Sequence, residues 1–306
     1  VIDTPLHEGA SIIEMRKMSM VVFSKPRAWS FSWVAVLIIL ILGYVGTAEA
    51  ADREGEKTTS PLYASVSEGI RTVVDDIHAM VMRPLTMDRA DALLVGGGLV
   101  VLGGAFATDH ALRQLVVHHP SQTGRNISDD VGTVLGPGPL AGLSAGVTLL
   151  GFLGDSPGYR TARTTGLVAL EAEGIAVAAT AVLKVVTGRS APDANRGTAH
   201  FRPFSGLDGS FASTHAAASF AVATVFAERY PGPIAWTAYT LASAVSVSRI
   251  YSDQHFGSDV VAGALLGWGM GYFLANRHAD PDKSWQVRPL TLDRGLGSGI
   301  LLSHRF

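Results

Sequence analysis

The spacing of apolar residues marks out a helical chain with polar flanks. From Val66, apolar residues recur at 70, 73, 74, 77 and 81, which predicts an amphipathic helix packed on the rest of the protein. Six mostly apolar runs follow, at about 92–108, 139–154, 164–187, 213–228, 234–248 and 258–276. They exceed strand length and are rich in alanine and leucine, so they predict helices. Asp155-Ser156-Pro157-Gly158 and Tyr230-Pro231-Gly232-Pro233 predict turns between neighbours. Two polar stretches, 109–138 and 188–212, are expected as long loops, with Asp129 and Asp130 capping from the first of them. Beyond the last run, 285–292 and 299–306 read as two short strands around Asp293 to Gly297, a hairpin. The glycines at 96–98 and 103–104 lie inside an apolar run with no strand before it, which predicts close helix packing rather than a nucleotide loop.

The N-terminal pattern differs. Lys25 and Arg27 precede an apolar core from Val34 to Val45, and Ala48-Glu49-Ala50 follows. Those features predict an export signal cleaved near Ala51, with translation starting at Met18 or Met20. The expected organisation is a signal and upstream residues over 1–50, a polar linker and the amphipathic helix over 51–90, the helical domain over 91–277, and the tail over 278–306.

Composition narrows the classes. Only 16% of residues are charged and the formal net charge is −2, which leaves no basis for a nucleic-acid surface. The absence of cysteine excludes disulfides, thiolate metal ligands and a cysteine nucleophile. His110, His118 and His119 read as surface histidines rather than a metal site. The second, fourth and fifth apolar runs hold about 14–17 apolar residues, below the ~18 of a membrane span. Glu171, Glu173 and Lys184 in the third run would be costly in lipid unless turned inward. The expectation is therefore an exported, periplasmic bundle lying at the membrane surface, with integral insertion as the alternative.

The candidate chemistry sits at one end of the bundle. Lys184 ends the third run, Ser213, Thr214 and His215 begin the fourth, Arg249 ends the fifth and Asp259 begins the sixth. Antiparallel packing through short turns brings these residues together. Lys184 and Arg249 supply fixed positive charge, suited to phosphate oxygens. The start of the fourth helix offers free N–H groups, to which Ser213 and the amide of Thr214 belong. Asp259 is placed to orient His255 through Nδ1, leaving Nε2 to attack phosphorus, and His215 is left as the general acid.

These residues resemble the motifs of the type 2 phosphatidic acid phosphatase superfamily, which includes bacterial acid phosphatases and vanadium haloperoxidases. The pattern S-R-x5-H-x3-D is complete at Ser248, Arg249, His255 and Asp259. P-S-G-H keeps Ser213 and His215 but has Ala212 and Thr214, and K-x6-R-P keeps Lys184 and Pro192 but has Ala191. The resemblance covers about residues 90–277. It implies an all-α fold with a six-helix core, and a phosphohistidine intermediate formed without a metal or other cofactor. The substrate expected is a phosphomonoester or diphosphate ester, with a lipid phosphate leading because the site opens beside apolar helices. Alternatives are a vanadium haloperoxidase and a non-catalytic phosphate binder, the second motivated by Ala191 and Ala212. With no arginine at 191, Arg189 is expected to take over the phosphate contact, and Arg202 stands second.

Overall fold

A computed structural model of the protein describes residues 61–118, 121–279, 286–291 and 298–303. The expected export signal lies outside the described residues. Eight α-helices are present among the described residues: α1 (Pro61–Met82), α2 (Arg89–His118), α3 (Gln122–Val134), α4 (Pro137–Leu150), α5 (Pro157–Thr187), α6 (Thr214–Arg229), α7 (Pro233–Tyr251) and α8 (Gly257–Arg277). Short 3-10 turns occupy Arg83–Thr86 and Pro192–Ala194. Strands β1 (Gln286–Thr291) and β2 (Ser298–Ser303) pair antiparallel, with Gln286 opposite Ser303.

Local chemistry sets the helix ends. Prolines open α4, α5 and α7, where the missing N–H costs nothing. Gly188 closes α5 in the left-handed region at φ 53°, and its N–H bonds back to Lys184 at 2.8 Å. The 109–138 loop predicted from the sequence is instead the end of α2 followed by α3. Ser121 caps α3 by accepting from the Gly124 N–H at 3.2 Å. Its large apolar residues are Ile127, Val131 and Val134, two of them exposed, and its buried positions are Ser128 and Gly132, so a search for continuous apolar runs passes over it. Asp129 and Asp130 consequently lie within α3 rather than in a capping loop.

Helix α6 is the centre of the bundle. Ala216, Ala217, Ala218, Ala221 and Val225 have no exposed surface, and they meet α5 on one side and α8 on another. The contact with α8 is made backbone to backbone. A Cβ on Gly263, Gly267 or Gly271 would lie 2.4, 2.1 or 2.5 Å from the carbonyl oxygens of Ser213, Ala217 and Ala221. A stripe of glycines four apart thus sets the helix separation. The glycines at 96, 97, 103 and 104 do not have this role, because a Cβ there would meet nothing within 4 Å. Helix α1 is tied to α8 by Asp76, which accepts from the Arg277 guanidinium and lies 2.8 Å from His278 Nε2.

The outward surface is apolar. Leu93, Leu94, Leu99, Val100 and Val101 of α2 are exposed, as are Leu149 and Leu150 of α4 and Trp236 and Val247 of α7. Stretches of 28, 29, 31 and 21 residues at Arg89–Val116, Gln122–Leu150, Pro157–Thr187 and Gly257–Arg277 are long and apolar enough to cross a membrane. Of the three runs expected to be too short, the second overlaps the Gln122–Leu150 stretch, while α6 and α7 fall in none of the four; the charged residues of the third run must turn inward. Glu173 and Lys184 meet that condition, with 4% and 7% exposure. An apolar exterior of this extent makes the protein membrane-associated.

The glycine stripe generates the first prediction. Gly267→Ala forces α6 and α8 apart and should lower stability by about 1–3 kcal/mol, whereas Gly103→Ala, facing open space, should leave it unchanged or raise it. Thermal unfolding of both variants in detergent checks this; equal melting temperatures would remove the stripe from the account.

Candidate active site

The fold delivers the sequence-selected residues from four elements to one end of the bundle. Lys184 lies in the last turn of α5, Ser213 immediately precedes α6, and Thr214 and His215 open it. Arg249 lies in the last turn of α7, His255 in the turn after it, and Asp259 in the first turn of α8. The Ser213 N–H donates to the Asp259 carbonyl at 2.9 Å, which locks the starts of α6 and α8 together.

The cationic groups are held by main-chain carbonyls and still have donors to spare. Lys184 Nζ donates to the Gly209 carbonyl at 2.7 Å, leaving two ammonium protons. Arg249 donates from Nε to Ser248 Oγ at 3.1 Å, from Nη1 to Gln254 Oε1 at 3.1 Å and from Nη2 to the Ser128 carbonyl at 2.8 Å. Its guanidinium lies over Gly132 of α3, where a Cβ would come within 1.7 Å of Nη2. Ser213 is fully buried, its hydroxyl caps no helix N–H, and its Oγ has no hydrogen-bond partner among the described residues. Thr214 turns its hydroxyl back to Thr180, 3.1 Å away, so its contribution to the site is its amide.

The two imidazoles are electrically coupled to these groups. Burial, then the charges of Arg249, His255 and Lys184, push His215 down to about 3. Its ring lies against Gly136, where a Cβ would sit 3.3 Å from Nε2. Burial also pushes His255 below the ordinary histidine range, with Lys184 adding to the effect and Asp259 opposing it. Both rings are therefore neutral at pH 7. His255 Nδ1 faces Asp259 Oδ2 at 3.8 Å, longer than a hydrogen bond, and has no other partner among the described residues.

One expectation is overturned. Arg189 is completely buried, and all five of its N–H donors are spent on protein. Nε donates to the Thr198 carbonyl at 3.0 Å, Nη1 to Ser258 Oγ and Asp259 Oδ1 at 2.6 Å each, and Nη2 to Asp109 Oδ2 at 2.7 Å and the Thr198 carbonyl at 2.6 Å. The rings of Phe106 and Phe256 flank it, 4.7 and 4.4 Å from the guanidinium carbon. It has nothing left for a phosphate and stands behind Asp259 instead. Arg202 is exposed in the 188–212 loop.

Sequence reasoning missed the groups that arrive from α2 and α3. Asp109 and Ser128 are buried polar residues, and Arg113 reaches Asp253 at 3.0 Å and Asn195 at 2.7 Å. Asp253 and Asn195 both hold φ at 53°, so Arg113 fixes two left-handed turn residues in the motif loops. Asp109 was visible as a charge ending an apolar run; Gly132 carried no signal.

The seat of Arg249 gives the second prediction. Gly132→Ala displaces the guanidinium and should weaken binding of inorganic phosphate about tenfold or more, the loss of a charged hydrogen bond. Gly138→Ala, which meets nothing within 4 Å, should bind as the parent does. Titration calorimetry on the two folded variants decides, and equal affinities would take Arg249 out of the anion seat.

Three similarities to known proteins bear on this segment of the chain. Residues 165–281, which contain every motif residue named above, match the sequence profile of the PAP2 superfamily. An 81-residue segment is 36% identical to the lipid A 1-phosphatase of Porphyromonas gingivalis, covering 24% of this chain and 18% of that protein. The chain thus aligns with less than a fifth of that curated relative. The solved transmembrane PAP2-type phosphatidylglycerolphosphate phosphatase of Bacillus subtilis superposes with a TM-score of 0.47 at 21% identity, over 64% of this chain and 95% of the other. The profile match is thus confined to residues 165–281, and the motif residues singled out from the sequence all lie inside this PAP2-like segment.

Proposed function

We propose that this protein is a cell-envelope phosphatase that hydrolyses a lipid phosphate through a phosphohistidine on His255. The observation that carries the reading is the anion seat at the start of α6. There a buried, unpartnered Ser213 hydroxyl and two imidazoles meet two cations with donors to spare. Lys184, Arg249, Ser213 and the Thr214 amide would hold the non-bridging oxygens. His255 Nε2 attacks phosphorus, the bond to the leaving oxygen breaks, and His215 gives that oxygen its proton. Water then attacks the phosphohistidine while His215 takes a proton back, and inorganic phosphate leaves.

The electrostatics of His215 fit the cycle. Its neighbours keep it neutral in the free protein, and a phosphate dianion reverses the sign of that field and favours the imidazolium. The 3.8 Å gap between His255 and Asp259 is of a kind that tightens when substrate and transition-state charge arrive.

The lipid assignment has its own support. A cavity of about 330 Å³ runs between α4, α6 and α7, lined by Leu135, Leu140, Val222, Phe226, Leu241 and Val245 among others. Ser219, on its wall, lies one helical turn beyond His215, and Val245 one turn before Arg249. An acyl chain seated there would present its phosphate to the anion seat. The curated relative is itself named for a lipid substrate.

The mechanism and the cavity can be tested separately. Brief reaction with phosphorus-labelled substrate should leave an acid-labile label on the wild type and none on His255→Ala. The acid limb of kcat/KM should lie below the ordinary histidine value of about 6.5, because a lowered pKa keeps the nucleophile neutral as pH falls. Near-normal turnover by His255→Ala would sink the mechanism. For the cavity, Ala238→Trp should raise KM at least fivefold for a long-chain phosphatidate while leaving p-nitrophenyl phosphate turnover within twofold. An equal effect on both substrates would separate the cavity from the lipid.

A further inference from the structure

Asp109 stands in α2, outside the PAP2-matched segment, with 1% exposure. Its Oδ1 accepts from the Ser258 N–H at 2.8 Å, and its Oδ2 accepts from Ser258 Oγ at 2.5 Å and Arg189 Nη2 at 2.7 Å. Ser258 immediately precedes Asp259, and Arg189 bonds Asp259 Oδ1 at 2.6 Å. Asp259 Oδ2 accepts from the Phe256 N–H at 2.8 Å and faces His255. Three buried charges therefore stand in line: carboxylate, guanidinium, carboxylate. A lone arginine behind Asp259 would neutralise it. With Asp109 on its other side the guanidinium is already balanced, and the negative charge of Asp259 is left for the imidazole.

We infer that Asp109 is a positioning residue for the reaction, which fixes the first turn of α8 through Ser258 and offsets Arg189 so that Asp259 acts on His255. This rests on the phosphohistidine reading. The other charged or titratable groups facing His255 are Lys184 from α5 and His215 from α6, with Arg249 of α7 acting on His215. None of them reports on Asp109 by contact, so its effect must pass through Arg189 and Ser258. Without Asp109, Arg189 would draw on Asp259 alone. Asp259 would then support the charged imidazole less, and His255 would be a poorer nucleophile.

The test uses the full chain in detergent and the near-isosteric Asp109→Asn. With p-nitrophenyl phosphate, kcat should fall at least tenfold while KM stays within twofold, since the phosphate seat is untouched. The ring signals of His255, read by NMR without substrate, should titrate at lower pH than in the parent. In the double variant the losses from Arg189→Gln and Asp109→Asn should be less than additive, because one of the two routes from Asp109 passes through Arg189. An unchanged kcat overturns the inference, as does an unmoved His255 titration or additive losses in the double variant. Should Asp109→Asn not fold, Ser258→Ala takes its place: at least a threefold loss of kcat at constant KM is expected, and no loss overturns the proposal. The NMR measurement needs no turnover. A parent protein inert towards every phosphate ester would therefore defeat the phosphatase reading while leaving the role of Asp109 to be judged by the titration.

Discussion

Everything at the active end of this bundle depends on a guanidinium with no access to water. The fork of donors on Arg189 must be matched, or the cost of burying its charge becomes prohibitive. Asp109, Asp259, Ser258 and the Thr198 carbonyl match it completely. In doing so they join α2, the 188–212 loop and the start of α8. The catalytic loops are thus held by a buried polar knot rather than by apolar packing, and three aromatic rings close the knot from solvent. Removing one partner of such a set typically costs about 3–5 kcal/mol, so the same contacts that arrange the chemistry also hold the fold.

The rest of the architecture follows from placing that knot beside lipid. Small residues on α6 and the glycine stripe on α8 let two backbones touch. This brings Ser213 and His215 to Asp259 with no bulky side chain between them. The long outward faces of α2 and α4 are apolar, while Asp109 of α2 and Ser144 and Thr148 of α4 are buried. The two demands are divided among the helices: α2 and α4 present much of the apolar exterior, while α5, α6, α7 and the turn before α8 supply the two cations and two imidazoles. The cavity between α4, α6 and α7 is lined almost wholly by apolar side chains, and Ser219 and Val245 on its wall lie one helical turn from His215 and Arg249.

Much of this was legible in order along the chain. The apolar runs located six of the eight helices, since continuous hydrophobicity of that length outruns a strand and must be buried or face lipid as a helix. The amphipathic spacing located α1. The spacing of Ser248, Arg249, His255 and Asp259 announced the site, because a short turn between two antiparallel helices fixes where those side chains can go. Helix α3 escaped, because its few large apolar residues form no continuous run. Arg189 was misassigned for a related reason: the sequence showed a cation two residues from Ala191, but not the two carboxylates that hold it.

The sequence by itself determined the helical class and the membrane-compatible composition, and it singled out the histidines, serine and cations that the fold collects at one end of the bundle. Those are properties of local spacing and residue type, which survive without knowledge of partners. Tertiary structure decided which charges are free and which are spent. That depends on contacts between residues as distant as Asp109 and Ser258, 149 positions apart, and no local pattern records them. It also decided which glycines matter, because a missing Cβ has a consequence where another backbone comes within reach, at Gly263, Gly267 and Gly271, and none at Gly103, which faces open space.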